Sequence, residues 1–187
     1  MKKTYNILFL LVFLTQAAWA ATFNERITYE GRELVKTFEA GAMAEYISPK
    51  ETLDNWSEMF AVRVHLDSSP EEALGHLEKN LEALRSSGRD SYARVIESYS
   101  NSEERIHFIV ITLSEDNIFE YNVFRYIGIE GGKVISFQLA KRHYRPMEFT
   151  EEEANKVVEW TMKQIEGSKD DVLFLFDEEL PGQIFGS

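Results

Sequence analysis

Four β-rich runs, Ala93–Tyr99, Ile106–Leu113, Ile118–Ile127 and Lys133–Tyr144, follow one another with only short turns between them. No other feature of the chain constrains its fold as strongly. A parallel crossover needs a dozen or more residues, so neighbours this close must pair antiparallel. Ser100–Glu104 is a polar turn, and Gly128-Ile129-Glu130-Gly131-Gly132 reads as a hairpin connection from its glycines. Upstream, Met59–Leu66 alternates strictly. Phe60, Val62, Val64 and Leu66 share one face, and Met59, Ala61, Arg63 and His65 share the other. A further strand is expected over Phe38–Ile47, with a partner around Arg26–Tyr29.

Two helices frame these strands. Ser69-Pro70-Glu71-Glu72 combines a serine cap, proline at the first helical position and glutamate three residues after the cap. Leu74, Leu77, Leu81 and Leu84 then form one stripe, which Ser86-Ser87-Gly88 should end. Thr150-Glu151-Glu152-Glu153 is a second capping box, followed by Ala154, Val157, Val158, Thr161 and Ile165 on one face, with Gly167 as the expected stop. The expectation is a single α+β domain: an antiparallel sheet of about six strands with two main helices packed on it.

The first twenty residues carry the marks of an export signal. Lys2 and Lys3 precede an eight-residue apolar core, Ile7–Leu14, and Ala18-Trp19-Ala20 offers a cleavage site before Ala21. Eight residues fall far short of the ~20 that span a bilayer as a helix. Residues 1–20 are therefore read as cleaved between Ala20 and Ala21, leaving residues 21–169 as the domain and 170–187 as a C-terminal arm. No transmembrane segment is expected in the mature chain, and its location is periplasmic or extracellular. The formal charge of −12 becomes −14 without the leader's two lysines, which disfavours nucleic acid and anionic lipid as partners. With no cysteine, the chain has no disulfide, thiolate nucleophile or zinc–thiolate site.

The stretch Leu53-Asp54-Asn55-Trp56-Ser57-Glu58-Met59-Phe60-Ala61-Val62-Arg63-Val64, with the element order over roughly residues 34–167, resembles the PsbP-like fold. That resemblance implies an accessory or partner-binding protein rather than an enzyme. It carries over no binding residues, because no motif fixes the correspondence.

Trp56 stands in a polar turn ahead of a strand. If Ser48-Pro49-Lys50-Glu51 caps a single helical turn, Leu53 and Trp56 share a face, and the indole closes one end of the core. The other reading is an exposed aromatic anchor for a ligand. The cluster Lys141-Arg142-His143-Tyr144-Arg145 is locally basic in an acidic chain. Lys141 and His143 should face one way and Arg142 the other, each either pairing with a nearby acid or, at Arg142, meeting a small anion. Arg63, His65 and Arg142 are the candidate ligand-binding residues, on a sheet face that also carries Ser136 and Gln138. That face is either an ordinary solvated side or the floor of a cleft.

No local motif supports catalysis. His65, His76, His107 and His143 occur without metal-ligand spacing, no serine elbow is present, and Gly128–Lys133 lacks the length and hydroxyl of a phosphate loop. No cofactor or metal is expected, and an enzyme remains only as a site assembled from distant residues. In the arm, Leu173, Phe174, Leu175 and Phe176 lie between acidic flanks. They should dock back as a short strand or extended arm, or meet a partner. The leading expectation is a non-catalytic accessory protein that binds another protein of the cell envelope. The alternative is a carrier of a small anionic or amphipathic ligand.

Overall fold

The structure, a computed structural model, describes residues 22–66, 95–100, 105–113, 118–129, 133–144, 150–175 and 180–185, Ser69, and part of a helical segment between 72 and 86; of 95–100 and 105–113 it describes the backbone. Eight strands, β1 (Arg26–Tyr29), β2 (Arg32–Ala40), β3 (Met43–Ile47), β4 (Glu58–His65), β5 (Val95–Ser100), β6 (Arg105–Leu113), β7 (Ile118–Ile129) and β8 (Lys133–Tyr144), form one antiparallel sheet. Its order is β1-β2-β3-β4-β8-β7-β6-β5, two consecutive meanders joined where β4 pairs with β8. Helix α1 (Glu151–Leu175) and the short helix α2 (Leu180–Ile184) follow.

The antiparallel pairing expected from the short turns is present throughout, and Gly128–Gly132 does join two paired strands. The sheet has eight strands rather than about six. One reason is that the single strand expected over Phe38–Ile47 is two, β2 and β3, folded at Gly41-Ala42. Gly41 takes φ +59°, a conformation glycine adopts without a Cβ penalty. The β1–β2 turn is similar, with Glu30 at φ 48° and Gly31 at 71°, the doubly left-handed geometry that suits a two-residue hairpin.

The Ser69 capping box forms with both of its bonds, and Thr150 caps its helix through one. The Glu72 amide donates to Ser69 Oγ (3.2 Å) and the Ser69 amide to Glu72 Oε2 (2.8 Å). The Glu153 amide donates to Thr150 Oγ1 (3.2 Å). The described residues between 72 and 86 are helical, but the Leu74, Leu77, Leu81 and Leu84 stripe lies outside the described residues. One main helix, α1, is therefore defined against the sheet.

Gly167 does not stop α1, which runs on to Leu175. Glycine costs a helix interior only about 1 kcal/mol. Two further turns bring Asp171 and Leu175 into line with Val157, and all three are buried. Val158, assigned by sequence to the inner face, is 61% exposed, because the inner stripe runs Val157, Trp160, Asp171, Phe174 and Leu175. The core between α1 and the sheet is built on Tyr29, Tyr46, Phe60, Val62, Phe137 and Leu139. Phe60 is its hub, with Phe137 stacked at 6.0 Å and Phe174 edge-on at 5.9 Å.

Candidate functional site

The pleat sends Ala61, Arg63 and His65 of β4 to the side of the sheet away from α1. The register sets Gln138, Ser136 and Val134 of β8 directly opposite them. Asn122, Phe124 and Tyr126 of β7 continue the same face. This is the mixed polar face read from the sequence, but it is not solvated: Ser136, Gln138, Asn122, Phe124 and Tyr126 are all buried.

A continuous polar ladder crosses it. Arg63 Nη1 donates to Gln138 Oε1 (2.8 Å), and Gln138 Nε2 donates to Asn122 Oδ1 (2.7 Å). Asn122 Nδ2 then donates to Glu120 Oε1 (3.2 Å), and Arg142 Nε to Glu120 Oε2 (2.8 Å). Arg63 also lies 3.8 Å from Glu45. Burial pushes the Arg63 guanidinium down and the Glu45 carboxyl up, each toward its neutral form. Desolvation thus outweighs the attraction between them, as expected for a charge pair taken out of water.

His65 Nε2 is hydrogen-bonded to Ser136 Oγ at 2.8 Å. Its pKa is pushed down to about 4 by burial first, and then by Arg63 and by His76 of the helical segment. The imidazole is therefore neutral at pH 7 and can accept from the serine hydroxyl. A base this weak is poorly matched to proton abstraction near neutral pH.

Of the three candidate ligand residues, Arg63 and His65 stand together. Arg142 lies six residues along β8 from Ser136, the partner of Arg63, or about 20 Å away. The ladder links Arg142 to Arg63 rather than converging them on one pocket. Sequence placed Lys141 and His143 opposite Arg142, and this is what the strand shows. Lys141 pairs with Asp171 and Arg142 with Glu120, while His143 packs against the ring of Trp160 at 5.5 Å.

Trp56 is a plug. It is 3% exposed and packs with Ile47, Met59, Ala61 and Ala140 at the end of the far face. The Arg142 guanidinium stacks on it, 3.7 Å from the ring centroid. Its backbone amide donates to the Tyr144 hydroxyl (3.1 Å), which donates back to the Trp56 carbonyl (2.8 Å). The helical turn expected at Ser48–Glu51 is instead a tight turn in which the Glu51 amide donates to the Ser48 carbonyl (3.0 Å). Glu51 is used differently, since one oxygen accepts from both the amide (3.0 Å) and the hydroxyl (2.5 Å) of Ser57. Leu53, expected to share the Trp56 face, is 40% exposed.

The C-terminal run is neither strand nor extended arm up to Leu175, because it completes α1. Helical spacing fully buries Leu175, packs Phe174 against Tyr29 (4.5 Å), and turns Leu173 outward at 57% exposure. Phe176 lies outside the described residues. α2 then buries Leu180 and Ile184, so the segment after residue 169 shares the core of the domain rather than standing apart from it.

Sequence reasoning passed over the most heavily buried charge in the described structure. The Asp171 carboxylate is 1% exposed on the inner face of α1. Its Oδ1 accepts from Tyr29 Oη and from Lys141 Nζ, both at 2.7 Å. Burial and Asp171 together push the Tyr29 and Tyr121 phenols far up. Only the helical continuation past Gly167 turns Asp171 inward, and the sequence signal, a glycine followed by two aspartates, points to a helix end instead.

Among the described residues, no group of three or more His, Asp or Glu stands close enough to hold a metal. No described helix is long and apolar enough to cross a membrane. No curated protein matches the chain. A family model matches residues 21–169, most of the chain, so the protein belongs to that family, an uncharacterised one.

Proposed function

We propose that the chain is an exported, non-catalytic accessory protein of PsbP-like type that binds another protein of the cell envelope through the outer face of α1. The observation carrying this reading is the exposure of Val158, Met162 and Leu173, at 61%, 50% and 57%. Their spacings of four and eleven residues bring them onto one helical stripe. Glu166 and Lys169 fall on the same stripe between Met162 and Leu173, and Glu159 and Lys163 border it on one side, so the three apolar side chains stand among charges of both signs. Export is supported by the leader described above and by a family match that begins at residue 21, the first residue after the expected cut. The likeness to the PsbP-like fold rests on the meander order and on the segment entering β4.

A carrier reading has less to stand on. Arg142, which would meet an anion, is held by Glu120 and stacked on Trp56, and Arg63 is engaged by Gln138. The test is a photocrosslinking amino acid placed at Met162 in cells making the full chain. A discrete crosslinked protein of the envelope, lost when Leu173 is changed to Glu, supports the reading. Crosslinks to nothing above background, with a bound mass of a few hundred daltons in native mass spectrometry, would replace it with the carrier.

A further inference from the structure

We infer that the outer face of α1 pairs two copies of this chain, antiparallel about a two-fold axis. This rests on the reading of that face as a contact surface and adds a self-masked form, in which a second copy and the envelope partner compete for it. Met162, Glu166, Lys169 and Leu173 are spaced four, three and four residues apart, and all are exposed. That alternation is the seam of a two-stranded coiled coil, with Glu166 and Leu173 at its a positions and Met162 and Lys169 at d. Reversing the second helix brings a against d. With the axis passing between Gly167 and Ser168, Glu166 meets the partner's Lys169 and Met162 meets the partner's Leu173, and the symmetry repeats each contact.

The charges select this arrangement. Lys163 and Asp170, both exposed, flank the seam, and the antiparallel pairing sets Lys163 level with the partner's Asp170. Each exposed charge described between residues 160 and 175 then faces its opposite. A parallel pair in register would set Glu166 against Glu166 and Lys169 against Lys169. Among the described residues, none of Lys163, Glu166, Lys169 and Asp170 forms an ion pair within its own chain. Lys156, in an earlier turn of α1, is by contrast held by both Glu152 (3.0 Å) and Glu153 (2.8 Å). The overlap, residues 160–175, is ~24 Å long. With two Met–Leu contacts as its apolar part, it belongs with the small, transient interfaces below ~1,200 Å². The dimer is accordingly weak.

Sedimentation equilibrium of the purified full chain tests the pairing, with a dissociation constant expected on the order of 0.1 mM. Lys169→Glu and Glu166→Lys each bring like charges together twice, so each should weaken the dimer by about tenfold or more. Both positions are exposed, and circular dichroism should show the fold unchanged. Mixed in equal amounts, the two variants rejoin opposite charges at both contacts, and a heterodimer of about wild-type affinity should form. The double exchange Glu166→Lys with Lys169→Glu should dimerise by itself for the same reason. A wild-type chain that stays monomeric up to about 1 mM overturns the inference. So does a dimer that neither variant weakens, or a pair of variants that stay apart when mixed. If a monomeric chain still crosslinks from position 162 to an envelope protein, the contact surface stands and only the self-pairing has failed. The absence of both dimer and crosslink defeats the reading of the surface itself.

Discussion

Replacing Lys141 with methionine tests the part of the fold that sequence did not reveal. Methionine keeps most of the length of the side chain and removes only the charge and its donors. Lys141 is 19% exposed and Asp171 1%, so the pair lies well inside the protein. Its loss leaves the Asp171 carboxylate with the Tyr29 hydroxyl on Oδ1, while Oδ2 is buried with no partner among the described residues. Breaking one side of a buried pair costs about 3–5 kcal/mol, because the remaining charge is desolvated without compensation. The retained Tyr29 bond argues for the lower end, about 3 kcal/mol. At roughly 2–4 °C per kcal/mol for a domain of this size, the melting temperature should fall by about 6–12 °C. Urea unfolding followed by tryptophan fluorescence reads the same quantity. The double variant Lys141→Met with Asp171→Leu should recover most of the loss, since replacing both partners by apolar groups removes the desolvation cost. A single variant within 1 kcal/mol of wild type, or a double variant no better than the single, would refute the claim that this pair fixes α1 to the sheet.

Other expectations follow from the same contacts. His65 is neutral in the folded protein down to about pH 4, whereas in the unfolded chain it takes up a proton near 6.5. Its contribution is therefore complete above pH 6.5 and is lost as pH falls toward 4. A His65→Gln variant should lose about 2–3 kcal/mol less than wild type between pH 7 and pH 4 in urea titrations. Trp56→Ala should cost about 3–5 kcal/mol by removing the plug and leaving Arg142 without its stacking surface, again measured by urea unfolding. Two glycine substitutions should move in opposite directions. A Cβ at Gly167 meets nothing within 4 Å in a helical backbone, so Gly167→Ala should stabilise by about 0.5–1 kcal/mol. Gly41 at φ +59° also has space, yet Gly41→Ala should destabilise by about 1–2 kcal/mol from backbone strain alone. Thermal scans of the two variants decide both.

The two polarities of the candidate site explain why it was half legible. The alternation in β4 placed Arg63 and His65 on one face, and the alternation in β8 placed Ser136, Gln138 and Arg142 on a common face, before any pairing was known. The register across β4, β8 and β7 then turned those separate lists into one ladder, and burial turned a supposed surface into an interior. Sequence alone could not reach either step, because register depends on which strands become neighbours. Here β4 meets β8, and the two are separated by the whole β5–β7 meander.

What the sequence by itself determined were the features whose causes are local. Short turns required antiparallel pairing, the hydroxyl and glutamate spacing at Ser69 and Thr150 started helices, and strict alternation assigned faces. Only the tertiary structure decided where α1 ends, which way Asp171 and Leu175 point, and that Trp56 lies under Arg142. In each of these a local preference was outweighed. Gly167 costs its helix about 1 kcal/mol, whereas full burial of a single leucine such as Leu175 contributes about 1.5–3 kcal/mol. The core that rewards this burial is assembled from β1, β4, β7 and β8, more than a hundred residues of chain that must already be folded together.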